Sequence, residues 1–425
     1  MRILIVGGGG REHALAWKAV QSRLTDELHV APGNPGIARF AWCHPHVTAT
    51  DIEGQVALAQ KLQVDLVIVG PDDALAGGLV DRLKDVGIRA FGPTREAARL
   101  EWSKEFAKEI MTRAGVPTAA YGSFTDYETA KAYLELQGAP IVIKADGLAL
   151  GKGVAVCQTM EDAQQFLKAV MQDQAFGQAG AKVVIEEFME GQEVSVLAFS
   201  DGRTVRQLIA AQDHKRAGDG DTGPNTGGMG TYAPVPAYTP EIAATVQKRI
   251  LEPVVRAMAT RGTPFVGCLF AGLMLTAEGP KVVEFNARFG DPEAQVVLPL
   301  LQNDLVEVML ACLDARLHEV ELTFHEGAAV NIVLASGGYP GAYMKGFVIE
   351  ETVEVERAGL TVFHAGTDVD DDGNLVTNGG RVLGIMAGGQ TLQEALEKAY
   401  WGAATVQFDG KQYRKDIAWR ALKEI

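Results

Sequence analysis

Arg2-Ile-Leu-Ile-Val-Gly-Gly-Gly-Gly-Arg-Glu-His-Ala-Leu-Ala-Trp17 reads as strand, turn and helix in direct succession. A short apolar run rich in β-branched residues suits a strand buried on both faces. It has one basic residue and is broken early by glycines, so it is not expected to be a signal peptide. The unit then recurs outward. Glu27–Ala31, Asp65–Val69 and Ile88–Phe91 read as strands, and Glu12–Gln21, Glu53–Leu62 and Ala76–Asp85 as helices. Such alternation predicts a parallel, doubly wound sheet. Turn residues cluster behind the strand ends at 7–12, 32–36, 70–73 and 92–94. In sheets of this kind the ligand crevice lies at the carboxyl ends of the strands.

Beyond residue 103 the pattern changes. A helix over Lys104–Ala114 stops at Gly115-Val-Pro117, and strands follow at Pro140–Lys144, Val154–Cys157 and Lys182–Glu187, with a helix at Glu161–Met171. Further strands are predicted at Glu193–Ser200, Arg203–Ala211, Leu269–Thr276, Pro280–Phe285, Ala328–Ala335 and Arg381–Ala387, and a helix near Leu392–Ala404. No internal repeat or low-complexity linker interrupts them. At about 150 residues per domain, the 425 residues suggest about three domains.

Hydrophobic residues make up 47% and charged residues 22%, which excludes a predominantly disordered chain. Glycine supplies 48 residues without a collagen-like period, so the excess serves tight turns or close backbone approach to a ligand. The net charge of -15 argues against general binding of nucleic acid or anionic membrane, though it says nothing of one pocket. No apolar run is long enough to span a membrane. Cys43, Cys157, Cys268 and Cys312 form no CxxC pair and read as reduced, packed thiols of a cytoplasmic protein.

Four stretches carry chemistry. Gly7–Gly10 sits where backbone N–H groups and a helix start can hold a phosphate. It fails G-x-G-x-x-G at Glu12 or His13, and the second strand ends in Ala31-Pro32-Gly33 without an acid, so a nicotinamide cofactor is not expected. Asp146-Gly-Leu-Ala-Leu-Gly-Lys-Gly153 lacks Walker A spacing and reads either as a phosphate lid or as a plain hairpin. Lys144, in the apolar strand before it, needs an anionic partner. Glu186-Glu187-Phe188 ends a strand and Glu193 opens the next; they suit adenine and ribose, or a solvated acidic turn.

In Val282-Val-Glu-Phe-Asn-Ala-Arg-Phe-Gly-Asp-Pro292, strand periodicity puts Glu284, Asn286 and Arg288 on one face and Val283, Phe285 and Ala287 on the other. A carboxylate and an amide oxygen suit Mg²⁺, and the arginine suits a transferring phosphoryl group; a surface strand is the alternative. Two other patterns are set aside. Asp368-x-Asp-x-Asp-Gly373 has Gly379 rather than Glu at position twelve, and His44-Pro-His46 has no partners nearby in sequence.

GGGGREHALAW (7–17), VGPD (69–72), FGPT (91–94), VIKADGLALGKGV (142–154), VIEEFMEGQEVS (184–195), DHKRAGDGDTGPNTGGMG (213–230), VEFNARFGDPE (283–293), HAGT (364–367), NGGRVL (378–383) and YRKDIAWRAL (413–422) together resemble the glycinamide ribonucleotide synthetases, the phosphoribosylamine–glycine ligases. The likeness runs end to end, and the 213–230 stretch is the specific part. It implies a multidomain α/β and α+β protein of the ATP-grasp fold, with an N-terminal doubly wound domain (1–103), a leading helix and lid (104–190), a central part with the metal site (191–325) and a small C-terminal domain (326–425). It implies a cytoplasmic, monomeric enzyme of purine biosynthesis whose partners are glycine, 5-phosphoribosylamine and ATP with Mg²⁺ or Mn²⁺, and not nucleic acid or membrane.

The resemblance also implies roles. Lys104, Lys144 and the lid glycines Gly147, Gly151 and Gly153 with Lys152 would contact ATP phosphates. Glu186, Glu187 and Phe188 would meet adenine, and Glu193 the ribose. Glu284 and Asn286 would bind the metal. Gly8, Gly9, Gly10, Arg11 and Asp72 would hold phosphoribosylamine. Asp213, Lys215, Arg288, Asp291, Asn225, Thr226, Gly227 and Gly228 would surround glycine and the transferring phosphate. Three positions depart from the family pattern: Trp102 where Leu-Glu-Gly-Ser-Lys is expected, Leu150 for a small lid residue, and Asp72 for a glutamate. The rival readings are another ATP-grasp ligase acting on formate or bicarbonate, a nucleotide-binding regulator, and a dinucleotide oxidoreductase.

Overall fold

The computed structural model describes residues 1–147, 153–173 and 180–424. Its N-terminal sheet is parallel throughout, in the order Trp42–Cys43, Glu27–Pro32, Arg2–Gly7, Leu66–Val69, Ala90–Phe91. The first strand of the chain is central, and the order reverses beside it. The turns at Gly7–Gly10 and Gly70–Asp72 therefore open into one crevice. The strand interiors carry no charge and are fully buried, as double-sided packing demands. Where one helix is expected over Ala76–Asp85 there are two, Asp72–Ala76 and Leu79–Asp85. Gly78, at φ 84°, breaks them in a conformation that suits glycine.

A second, antiparallel sheet orders Tyr121–Phe124, Val183–Glu187, Ile141–Ala145 and Val154–Cys157. Helices Tyr127–Gln137 and Met160–Met171 cover it, and their contacts form a small core of their own. Helix Lys104–Ala114 leads into this part. Ser103 caps it, Asp146 accepts from the N–H groups of Lys104 (2.6 Å) and Glu105 (3.2 Å), and Gly115 ends it at φ 65°.

The central sheet orders Val205–Gln207, Gln192–Asp201, Val266–Thr276 and Gly279–Asn286, all antiparallel. Only three residues of the expected Arg203–Ala211 strand pair as a strand, because the chain bends to join Ala211 with Ser195. A C-terminal sheet orders Gln212–Asp213, Gly230–Ala233, Ala328–Ala335, Arg381–Gly389 and Thr361–His364. Its first two strands come from the segment expected in the central part. The loop between them is thus anchored at both ends in the C-terminal sheet. Among the described residues no helix is long and apolar enough to cross a membrane, and all four cysteines are free.

The C-terminal segment clips that loop in place. Arg414, 1% exposed, donates to Asp221 (2.9 Å) and to both oxygens of Asp416 (2.8 Å each). Arg420 also pairs with Asp221, and Lys415 N–H donates to Asp219 (2.8 Å). Removing one partner of such a group leaves buried charge unmatched. Arg414→Ala is expected to lower unfolding free energy by about 3 kcal/mol, measured by urea unfolding; a loss below about 1 kcal/mol, the scale of a surface pair, would show that the clasp contributes little.

Candidate active site

The crevice of the N-terminal sheet is built on glycine. A Cβ on Gly8 would lie 2.4 Å from the Gly33 carbonyl oxygen, and one on Gly10 would lie 2.5 Å from Gln295 Nε2. Glu12, buried in the first turn of the helix, accepts from Gly9 N–H (2.8 Å) and Arg11 Nε (2.6 Å). Asn34 donates to the carbonyls of Gly8 (2.9 Å) and His364 (3.0 Å), tying the turn to the C-terminal sheet. Burial works against the Arg11 charge, but Glu12, Asp291 and Asp72 outweigh it and raise its pKa. Burial pushes Asp291 up, yet Arg381 and Arg11 hold it below the usual carboxylate range.

Lys144 finds the anion its strand requires. Its Nζ lies 2.9 Å from Glu186 and donates to the Val283 carbonyl at 3.0 Å. Lys108 reaches the same carboxylate at 3.3 Å and donates to Thr118 Oγ1 at 2.8 Å. Burial pushes Lys108 down to about 8, against the pull of Glu186. The Glu186 carboxylate, expected at adenine, is thus turned onto two lysines. Glu187 is exposed and pairs with Lys281 (3.6 Å), and Phe188 is half-buried just past the strand end. Lys104 Nζ donates to the Gly147 carbonyl (3.0 Å), and the Gly153 carbonyl accepts from Ala145 N–H (2.7 Å). Leu150, Gly151 and Lys152 lie outside the described residues.

Glu284, Asn286 and Arg288 share a half-buried face while Phe285 and Ala287 are buried. Val283 departs from the expected alternation. A bulge opposite Gly272 and Leu273 makes it the extra residue, so Val282 packs in the core instead. The bulge also presents the Val283 carbonyl to Lys144. Burial pushes Glu284 up, but Lys215, Lys144, Lys104 and Arg288 outweigh it and hold it below its ordinary value. Lys215 stands between Glu193 (3.2 Å) and Glu284 (3.9 Å). Among the described residues no group of three or more His, Cys, Asp or Glu could hold a metal by itself.

The glycine loop closes the site. Thr226 Oγ1 donates to the Lys215 carbonyl (2.8 Å) and accepts from Gly228 N–H (3.0 Å). Gly228 has φ 113°, and a Cβ there would meet Pro292 Cδ at 2.4 Å. Gly227 donates to Tyr339 OH (3.1 Å) and accepts from Arg381 (2.6 Å), which also holds the Asp291 carbonyl (2.7 Å). Asn225 ends the exposed Thr222–Asn225 strand.

Three family models cover nearly the whole chain. They are described as phosphoribosylglycinamide synthetase N domain (residues 1–101), ATP-grasp (A) domain (102–294) and C domain (329–420). Proteins named phosphoribosylamine–glycine ligase match it end to end. The one from Vibrio parahaemolyticus is 49% identical over 99% of both chains, and the one from Escherichia coli K12 is 48% identical over 100% of this chain and 99% of its own. The chain belongs to the phosphoribosylglycinamide synthetase family. A crystal structure of phosphoribosylamine–glycine ligase from Thermotoga maritima superposes with TM-score 0.85 at 36% identity, covering 98% of this chain and 100% of that one. A biotin carboxylase domain from Hydrogenobacter thermophilus, 17% identical, shares the fold at TM-score 0.74 over 97% of this chain and 91% of its own.

Several residues of this synthetase site were not singled out in the sequence: Glu12, Glu101, Lys108, Glu293, Tyr339 and Arg381. Glu12, Glu293 and Arg381 lie inside the quoted motifs, and Glu101 stands beside Trp102; Glu12 acts on its own turn, through Gly9 and Arg11, whereas long-range contacts bring Glu101, Glu293 and Arg381 to the site. Burial and Glu293 push Asp213 up to about 8, against the pull of Lys215. An unfolded aspartate titrates near 3.9, so between about pH 4 and pH 8 the native chain keeps a proton that the unfolded chain has lost. Stability from this group is therefore lost as pH rises through about 8. Asp213→Asn is expected to flatten that part of the stability–pH curve. Urea unfolding across the window checks it, and an unchanged slope would show that Asp213 does not titrate there.

Proposed function

We propose that this cleft joins glycine to 5-phosphoribosylamine through glycyl phosphate, with ATP converted to ADP. The enzyme is an ATP-dependent carbon–nitrogen ligase of purine biosynthesis, as its full-length relatives and three matched domains support. One arrangement carries the assignment of the site: Lys215 stands 3.9 Å from Glu284, and with Lys104, Lys144 and Arg288, from separate segments, it holds that one carboxylate below its ordinary value.

Glu284 and Asn286 fit a divalent metal. They offer two hard oxygens on one face, and the Asn286 side chain has no hydrogen-bond partner among the described residues. So sparse a donor set suits Mg²⁺, which keeps waters and phosphate oxygens in its shell, with Mn²⁺ as the alternative. Bound there, the ion would neutralise the ATP phosphates. Lys104 and Lys144 would hold those phosphates, with the 147–153 loop as lid, and Glu193 the ribose. Glu186 would act through Lys144 and leave the backbone near Glu187 and Phe188 to face adenine.

Glycine's carboxylate then attacks the γ-phosphorus and ADP leaves. Arg288 and Lys215 would steady the charge on the transferring group, beside Asp213, Asp291 and the Asn225–Gly228 loop. The amine of phosphoribosylamine, held at Gly8–Arg11 and Asp72, attacks the carbonyl carbon of glycyl phosphate, and phosphate leaves. Closure of the 104–190 part over the 191–325 part would keep water from the acyl phosphate. The four free cysteines suit a cytoplasmic enzyme.

Two measurements test this. ADP release should require both glycine and freshly made phosphoribosylamine; equal turnover with another amine acceptor would sink the assignment. Glu284→Ala should lower kcat about 100-fold or more, the scale of several kcal/mol of charge stabilisation. Activity within about threefold of the parent would remove Glu284 from the metal site.

A further inference from the structure

Glu101 lies on the short helix Arg99–Trp102, three residues before Lys104. Its carboxylate is buried, and both oxygens are engaged. Oε1 lies 2.8 Å from Arg288 Nη2, and Oε2 accepts from the Ala287 N–H at 2.8 Å. We propose that Glu101 is a positioning residue for the ligation: it fixes the Arg288 guanidinium, and the backbone that follows Asn286, in the orientation that meets the transferring phosphate. This rests on the role given to Arg288 above.

The contacts of Arg288 show what Glu101 supplies. Its other protein partner is the carbonyl of its own neighbour, Phe289, at a long 3.4 Å. Its Nε is buried and has no hydrogen-bond partner among the described residues. Arg288 thus has one firm anchor and a donor left over. A guanidinium carries its donors in a rigid fork, so anchoring one nitrogen fixes where the others point. Without Glu101, the Phe289 carbonyl would be its one hydrogen-bond partner among the described residues.

The anchor reaches further than Arg288. Ala287 links the two functional residues Asn286 and Arg288, and its N–H is the one that Glu101 holds. In the other direction the chain runs through Trp102 to Ser103 and Lys104. The Lys104 N–H donates to Asp146 (2.6 Å), at the base of the lid loop. Residues 101–104 therefore grip the catalytic strand at one end and the lid base at the other. Trp102, the departure noted in the sequence, sits between the two grips, with its indole N–H on the Arg95 carbonyl (3.4 Å) and the Arg99 guanidinium over its ring.

Glu101→Gln keeps the size and an acceptor for Ala287 and removes the charge that Arg288 faces. It is expected to lower kcat about 10- to 100-fold, the scale of a misplaced catalytic group, while KM for ATP stays within about twofold. The deciding readout is a double-mutant cycle with Arg288→Ala. If Glu101 acts through Arg288, adding Glu101→Gln to Arg288→Ala costs nothing further. A merely structural role would cost the same factor in both backgrounds, and that result overturns the proposal. So does a Glu101→Gln enzyme at the parent's rate when Arg288→Ala is slow, which leaves the reading of Arg288 intact. Arg288→Ala at the parent's rate would overturn that reading and this inference together. Should Glu101→Gln fail to fold, Glu101→Asp, which keeps the charge but shortens its reach, enters the same cycle: its cost should shrink in the Arg288→Ala background, and an equal cost in both backgrounds overturns the proposal.

Discussion

One buried carboxylate holds three parts of the molecule together. Glu186, on the second, antiparallel sheet, lies between Lys144 of the same sheet and Lys108 of the leading helix. Each lysine then reaches the central sheet: Lys144 through the Val283 carbonyl, and Lys108 through Thr118, whose hydroxyl donates to the Val282 carbonyl. Two buried ammoniums cannot share a site without an anion between them, and one carboxylate leaves a positive charge over. That excess stands beside the proposed nucleotide phosphates. The bulge at Val283 completes the arrangement. A regular strand would spend that carbonyl on its neighbour strand, whereas the extra residue turns it toward Lys144.

The same logic resolves the charge of the whole. The chain has a net charge of -15, yet two of its proposed substrates, ATP and 5-phosphoribosylamine, are phosphate anions. Most cleft cations have an acid of their own: Arg11 has Glu12, Lys144 has Glu186, Lys215 has Glu193 and Arg288 has Glu101. The acids keep each cation in place and lower the cost of burying it. The field of the cleft is thus set by these local pairs and not by net charge.

Much of this was legible in the sequence, for reasons of period and burial. Strand periodicity placed Glu284, Asn286 and Arg288 on one face, and a lysine in an apolar strand announced a buried anion. Glycine clusters marked Gly8, Gly10 and Gly228, where a Cβ has no room. Four things were not legible. A bulge depends on the facing strand, so the displacement of Val283 has no local signal. The pairing of 212–213 and 230–233 with the C-terminal sheet is a long-range contact, and so is the hold of Arg381 and Tyr339 on Gly227. Glu186 looked like a strand-end acid facing ligand because nothing in the sequence shows Lys108 turning toward it from another helix.

The long-range contacts also explain why the glycine loop belongs to two domains at once. Its ends are strands of the C-terminal sheet, its hairpin is clipped by Arg414 and Arg420, and Gly227 is held by Tyr339 and Arg381. Arg381 also pairs with Asp291 (3.2 Å), which lies in the field of Arg11 on the N-terminal domain. A loop rich in glycine has little structure of its own, and fixing its backbone costs about 1–2 kcal/mol per residue in entropy. The contacts from the C-terminal sheet and its final segment offset that cost before substrate arrives. They leave the backbone of Gly227 and Gly228 already shaped beside Asp213 and Lys215, where a small amino acid would have to fit.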